Sequence, residues 1–198
     1  KMKDIRATVI IELKNKTEEG LWNKVDRSRR KNVNKAIREG LVFRPSSSEE
    51  DILKSYEIYS RVWREGGIPP EKYEEWIRLI NSDDQKLFIL EYKNKIIGCA
   101  LLWILTKKYY NLESGSNEKG IRFHAFASDK EFNELRPNDF LYWNSILYAL
   151  KNNYDFADLG GYQIKARGHP IGVNRFKMQW GGELIYYYTD YPFYLAIG

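Results

Sequence analysis

Cysteine, histidine and long apolar runs are scarce in this chain of 198 residues, and each scarcity removes a class of protein. A single cysteine, Cys99, excludes an internal disulfide framework. It sits in the run Ile96-Ile97-Gly98-Cys99-Ala100-Leu101-Leu102, where a thiol reads as a buried structural group rather than a nucleophile. Two histidines and that cysteine supply no zinc ligand set, so no metal is expected. The longest apolar run, residues 96–105, is about half of the ~20 residues that a membrane-spanning helix needs. Residues 1–16 lack the signal-peptide pattern. Repeats, low-complexity tracts, a P-loop, a dinucleotide fingerprint and a nucleophile elbow are all missing. These absences lead us to expect a reducing, cytoplasmic setting. The chain opens on Lys1 rather than Met, which fits a piece of a longer protein.

What is present suits a folded domain. Hydrophobic residues make up 43% and aromatics 15%, enough for a core and too many for global disorder. Lys and Arg outnumber Asp and Glu by 32 to 27, and the net charge of +5 permits an anionic partner without demanding one. The length predicts one domain, or one domain with an appendage.

Periodicity predicts a strand over 7–13, then a helix from an N-cap at Thr17 to Glu39, stopped by Gly40. Ser47 with Glu50 reads as a capping box opening a helix to about Arg64, its Ile52, Tyr56, Tyr59 and Trp63 inward. A short helix after Pro70 turns Tyr73, Trp76, Ile77 and Ile80 inward. Strands over 87–92 and 96–105 flank a hairpin turn at Lys93-Asn94-Lys95. Further strands are expected at 108–112 and 121–128, with a turn-rich 113–120 between them. Pro137-Asn138 starts a helix to Asn153, and a strand over 156–159 ends in Gly160-Gly161. A loop over 162–172, a helix over 173–180 and strands over 184–189 and 193–197, broken at 190–192, complete the chain. The expected fold class is α/β (α+β), a mixed, mostly antiparallel sheet flanked by helices, and not a doubly wound sheet.

Three segments then line up in order: Trp22-Asn23-Lys24-Val25-Asp26-Arg27-Ser28-Arg29-Arg30-Lys31-Asn32-Val33-Asn34-Lys35-Ala36; Leu135-Arg136-Pro137-Asn138-Asp139-Phe140-Leu141-Tyr142-Trp143; and Asp158-Leu159-Gly160-Gly161 followed by Gly172-Val173-Asn174-Arg175-Phe176-Lys177-Met178-Gln179-Trp180-Gly181-Gly182. Together they resemble the Fem family of peptidoglycan bridge-forming aminoacyltransferases, within the GNAT acyltransferase superfamily. The resemblance runs from about Thr8 to Phe193. It matches the second GNAT-like half of the Fem body plus a lead-in. Residues 1–40 are therefore expected to be a lead-in strand and basic helix, and 41–198 the GNAT-like domain.

The resemblance implies an acyltransferase. Phe176 would stack on the terminal adenine of a tRNA and Lys177 would steady developing oxyanion charge. On spacing alone, Phe176 fills a core and Lys177 is a surface charge. Arg175 accompanies them as a donor-binding candidate. Asp158 either takes a proton from an attacking amine or caps the turn at Gly160-Gly161, whose glycines allow close approach or positive φ.

Where acetyl-CoA enzymes carry a glycine-rich pyrophosphate loop, this chain reads Glu134-Leu135-Arg136-Pro137-Asn138-Asp139-Phe140, without glycine. Asn138 reads as an N-cap, and Arg136 as a side-on phosphate contact. In the basic helix, Arg27, Lys31, Lys35 and Arg38 share one face, and Arg29, Arg30 and Lys31 are phosphate-binding candidates. The alternative is a solvated face, with Trp22, Val25, Val33 and Ile37 packing inward. His124 lies where GNAT folds place the acyl group, and a lone strand histidine is usually structural. His169 reads as a loop residue.

The leading reading is transfer of an aminoacyl group, from aminoacyl-tRNA and with no cofactor, to an amine such as one on a cell-wall precursor. Two rivals stay open. One is an acetyl-CoA-dependent N-acetyltransferase with an atypical loop. The other is a non-catalytic nucleic-acid-binding module on the same scaffold.

Overall fold

The computed structural model describes residues 2–110 and 117–191. In chain order the elements are β1 (Met2–Glu12), α1 (Glu18–Lys24), α2 (Arg27–Glu39), β2 (Val42–Pro45), α3 (Glu49–Glu65), α4 (Tyr73–Ile80), β3 (Gln85–Tyr92), β4 (Lys95–Thr106), β5 (Lys119–Ser128), α5 (Pro137–Lys151), β6 (Phe156–Tyr162), α6 (His169–Met178) and β7 (Glu183–Tyr191). The sheet order is β2-β3-β4-β5-β6-β1-β7. β1 pairs antiparallel with both β6 and β7, β3 does so with β2 and β4, and β5 runs parallel to β6. α5 bridges that parallel pair, as a crossover must. The expected mixed, mostly antiparallel α/β fold is what forms.

Two compact units divide the chain. One comprises Lys1–Asp26, Leu105–Arg122 and Ala149–Gly198, the other Arg27–Ile104 and Phe123–Tyr148. Residues 1–40, read as a lead-in, are shared between them: β1 and α1 belong to the first, α2 to the second. In the second unit Tyr59 of α3 and Trp76 of α4 stack at 4.5 Å above Leu87, Ile89, Cys99 and Leu101. Cys99 is buried, as expected, and burial pushes its thiol up to about 12, which leaves it inert. The β3–β4 hairpin turns on Lys93 (φ 49°) and Asn94 (φ 61°), the left-handed pair that a two-residue turn requires. Among the described residues no helix is long and apolar enough to cross a membrane.

Several expectations fail locally, each for a visible reason. The helix over 17–39 is two helices. Thr17 does cap α1, its hydroxyl accepting from Gly20 N–H at 3.1 Å. Val25 then turns extended and buries its side chain, and Asp26 N–H donates to the carbonyl of Gln179 at 2.8 Å. Ile37, expected inward, is 57% exposed. The cap of α3 is Ser48, not Ser47. Ser48 Oγ accepts from Asp51 N–H at 3.2 Å, while the Asp51 carboxylate accepts from Ser47 N–H and from both Nη atoms of Arg44. Tyr73 stays partly exposed, and four residues of β2 pass unnoticed because so short a strand shows no alternation.

Lys107–Tyr110 is a 3-10 turn rather than a strand, because Tyr110 buries its ring edge-on against Tyr187 and Phe156. α6 begins at His169, four residues before the expected start, with Pro170 in its first turn. β7 continues through Asp190 and Tyr191, which pair with Lys3 and Met2, so the expected break at 190 does not occur. Pro192, the strand over 193–197 and residues 111–116 lie outside the described residues, as does the His169 side chain.

Candidate functional site

In the first unit, β6 carries Asp158-Leu159-Gly160-Gly161 ahead of its last residue, Tyr162, with Gly160 at φ 82°. That left-handed residue turns the Gly161 carbonyl toward α6, where Lys177 Nζ donates to it at 2.7 Å. Asn174, one turn earlier on α6, ties the same segment down. Its amide donates to Gln163 O at 2.8 Å and accepts from Gln163 N–H at 3.1 Å. Lys177 is 9% exposed, and burial pulls its ammonium down to about 8, with Asp158 opposing and Arg122 assisting that shift. An ammonium has three N–H donors, so two remain beyond the one that Gly161 takes.

Asp158 has no exposed surface. Its Oδ1 accepts from Gly160 N–H at 2.8 Å and contacts the Thr8 hydroxyl. Its Oδ2 accepts from Tyr110 OH at 2.5 Å and from Arg122 Nη1 at 2.9 Å. The Thr8 hydroxyl also reaches Gly160 O at 2.9 Å, and its one proton serves one acceptor at a time. Burial and the Asp158 charge push the Tyr110 phenol far above its ordinary value, so it stays a donor. Asp158 is thus wrapped by donors from β1, β5, the 3-10 turn and its own turn.

Phe176 is half-buried, edge-on to Trp180 at 5.8 Å, and Arg175 is exposed. The spacing-only alternative for this pair is half right about Phe176 and wrong about Lys177, which is buried.

The second unit holds the other candidates. Arg136 occupies the left-handed region (φ 62°) just before α5. Pro137 is the first helical residue, so Asn138 lies inside the helix and is not its N-cap. Its Oδ1 accepts from Ser128 Oγ at 3.0 Å. Asp139 is 5% exposed, accepts from Arg29 Nη1 at 2.9 Å, and is also reached by Asn32. Burial raises its carboxyl and the Arg29 charge opposes that rise. Arg29 is therefore an internal clasp between α2 and α5, while Arg30 is half-buried and Lys31 exposed.

His124 is exposed on β5, its ring 6.2 Å from that of Trp103. Clefts of about 670, 580 and 430 Å³ open among the described residues of this unit; His124 lines the last, and none of the other candidates lines any of them.

A pyrophosphate at the N-terminus of α5 needs bare N–H groups and a positive field. Here Pro137 removes one donor, Asp139 places a carboxylate in the first turn, and no glycine lets a phosphate approach the backbone. The residues present do not fit CoA in the usual way.

Sequence reasoning missed Thr8, Tyr110, Arg122 and Asn174. Thr8 and Arg122 were visible as polar residues within apolar strands. Tyr110 was hidden by the wrong element, and nothing local marks Asn174.

The mixed, mostly antiparallel sheet, with α5 bridging its parallel strands β5 and β6, is a GNAT-like acyltransferase fold. The chain belongs to the GNAT family, since residues 23–178 match the model of the acetyltransferase (GNAT) domain. No curated protein matches it in sequence. Among solved structures it is similar to FemX, with TM-score 0.72 and 17% identity, covering 96% of this chain and 63% of that one. It is also similar to the C-terminal domain of a putative lysylphosphatidylglycerol synthetase from Agrobacterium fabrum (TM-score 0.64, 14% identity, covering 94% and 60%). A third neighbour is L-PGS from Bacillus licheniformis (TM-score 0.62, 14% identity, covering 98% and 64%). At these identities the likeness is one of fold. The chain spans less than two thirds of each neighbour, 60% to 64%.

Proposed function

We propose that this chain transfers an aminoacyl group from the 3′ end of an aminoacyl-tRNA to a primary amine. The observation that carries the reading is the buried Lys177 ammonium anchored on Gly161 O with two donors to spare. In aminolysis the amine nitrogen attacks the ester carbonyl carbon, and the carbonyl electron pair moves onto oxygen. Lys177 meets that oxyanion. Collapse restores the carbonyl and breaks the bond to the ribose oxygen, which takes the proton that the amine gives up. The products are an amide and a free ribose hydroxyl. A fixed cation at the oxyanion stabilises the transition state more than the ground state. Phe176, on the same turn of α6, offers the constant terminal adenine a stacking face.

The poor fit of the α5 N-terminus to a pyrophosphate favours this donor over acetyl-CoA. The Fem resemblance supports an acceptor amine on a cell-wall precursor and work in the cytoplasm, where charged tRNA is found. Arg30 and Lys31 of α2 are assigned to donor phosphates.

The test is a paired donor assay with labelled aminoacyl-tRNA and labelled acetyl-CoA against an amine library. Transfer from aminoacyl-tRNA alone is expected. Transfer from acetyl-CoA alone would replace this reading with the acetyltransferase one. Salt-sensitive RNA binding without transfer to any amine would leave a binding module.

A further inference from the structure

We infer that Thr8, Tyr110 and Arg122 are positioning residues that work through Asp158 and the Gly160-Gly161 backbone to set where the Lys177 ammonium sits and how firmly it holds its proton. The inference rests on the reading of Lys177 as the oxyanion donor and supplies the parts that reading leaves out.

The connection is continuous. Gly161 O, the acceptor of Lys177 Nζ, is placed by the turn at Gly160. That turn is pinned from both sides of one residue: Gly160 N–H donates to Asp158 Oδ1, and Gly160 O lies 2.9 Å from the Thr8 hydroxyl. Asp158 in turn is held by Tyr110 and Arg122 on its other oxygen. A buried carboxylate with donors on both oxygens is fixed in orientation, and an acceptor on a fixed turn fixes the ammonium that it holds.

Two features separate this from simple core stability. The first is redundancy of donors. A single buried arginine would neutralise Asp158, yet a threonine from β1 and a tyrosine from the 3-10 turn are added, each approaching from a different element. The second is the balance of charges around Lys177: Asp158 of β6 favours its proton and Arg122 of β5 disfavours it. Around Arg122 stand Tyr109 and Tyr110 of the turn and Tyr187 of β7, with the Arg122 guanidinium 5.4 Å from the Tyr109 ring centre. None of these carries a competing positive charge. Burial lowers the hold of Lys177 on its proton most, and one carboxylate and one guanidinium, themselves hydrogen-bonded together, then adjust it in opposite directions.

Lysine Cε–Nζ resonances followed against pH by NMR read this directly, with the Lys177 signal assigned by its loss in Lys177→Met. In the wild type a midpoint near pH 8 is expected. Asp158→Asn moves the midpoint down and Arg122→Met moves it up, each by about one unit, because one removes the favouring charge and the other the opposing one. Thr8→Val and Tyr110→Phe, milder changes chosen because Asp158→Asn risks misfolding, each lower kcat about tenfold with KM unchanged, one decade being the effect of a shifted rather than lost group. Thr8→Ser restores the rate. Midpoints that stay put, or move the same way in both charge variants, overturn the inference, as does a Thr8→Ser that behaves like Thr8→Val. Should the midpoints move as stated while Lys177→Ala transfers acyl groups at the wild-type rate, the cradle stands and the functional reading falls.

Discussion

A lysine at 9% exposure is held against its own chemistry, because a buried ammonium loses hydration that one carbonyl does not replace. That cost sets Lys177 apart from a surface charge, and on the proposed reading it is the oxyanion donor. Replacing it with Ala is expected to lower kcat for acyl transfer by about 10²–10³-fold, the usual effect of removing one oxyanion donor, with KM little changed. Single-turnover measurement on the wild type and Lys177→Ala checks it.

The same burial predicts two pH effects. Transfer, which needs the charged form, falls above about pH 8 rather than near the ordinary 10.5. Stability moves the other way. Between about 8 and 10.5 the unfolded chain holds a proton on Lys177 that the folded chain has released, so the unfolding free energy rises with pH there. Cys99 opposes this from pH 9 upward. Its thiol is raised from 9.0 to about 12, so the stability it contributes is complete below 9 and lost above. Urea melts from pH 7 to 10 are expected to show a rise between 8 and 9 that Lys177→Met abolishes. Lys177 could be picked out in the sequence only through a resemblance. Its environment could not, because Thr8 and Arg122 are brought to Asp158 by neighbouring strands and Tyr110 by the 3-10 turn, from positions far apart in the chain.

At the scale of elements, α6 is held through its C-terminal half. Lys177 and Asn174 tie it to β6 and the residue that follows, and Gly181, three residues past its end, turns the chain at φ 80°, where an added Cβ would meet Lys24 Cβ at 2.8 Å and its carbonyl oxygen at 3.0 Å. Gly181→Ala is therefore strained in backbone and in packing together, and we expect a loss of about 2–3 kcal/mol in chemical denaturation. The α2–α5 clasp behaves differently. Arg29→Met leaves the Asp139 carboxylate buried without its cation, a loss on the order of 3 kcal/mol, whereas Arg29→Met with Asp139→Leu removes both charges and recovers most of it. A smaller loss in the double variant than in Arg29→Met is the expected result.

Elements with long periodic patterns were legible: the hairpin at Lys93-Asn94, the α3 face of Tyr59, and the α5 start at Pro137. Boundaries decided by tertiary contacts were not. Val25 breaks the first helix to bury itself, Tyr110 coils into a 3-10 turn to reach Phe156, and Asp51 shifts the α3 cap by one residue through Arg44. In each case a tertiary contact outweighs local propensity, which differs between states by only ~1 kcal/mol.

For the whole molecule the question is how a chain with a net charge of only +5 would hold a polyanion. The charge is unevenly spread. α2 carries Arg27, Arg30, Lys31, Lys35 and Arg38, of which Arg27, Lys31 and Arg38 are exposed, while Lys35 lies 3.9 Å from Glu134. Arg29, at first sight part of the same stripe, faces Asp139 and contributes little to an outside field. Three or four phosphate contacts along α2 predict a slope of log K against log salt of about −2 to −3, each contact releasing a counterion. Lys31→Ala with Arg38→Ala is expected to weaken tRNA binding at 50 mM salt and to flatten that slope by about 1.5. Transfer from a minimal aminoacyl-nucleoside, which carries none of the tRNA phosphates, is expected to be unchanged in the same variant, because neither residue belongs to the Lys177 cluster. A parallel loss with the minimal donor would place α2 in the chemistry itself. An unchanged salt slope would instead mean that the basic helix is a solvated face and that the donor phosphates are held elsewhere.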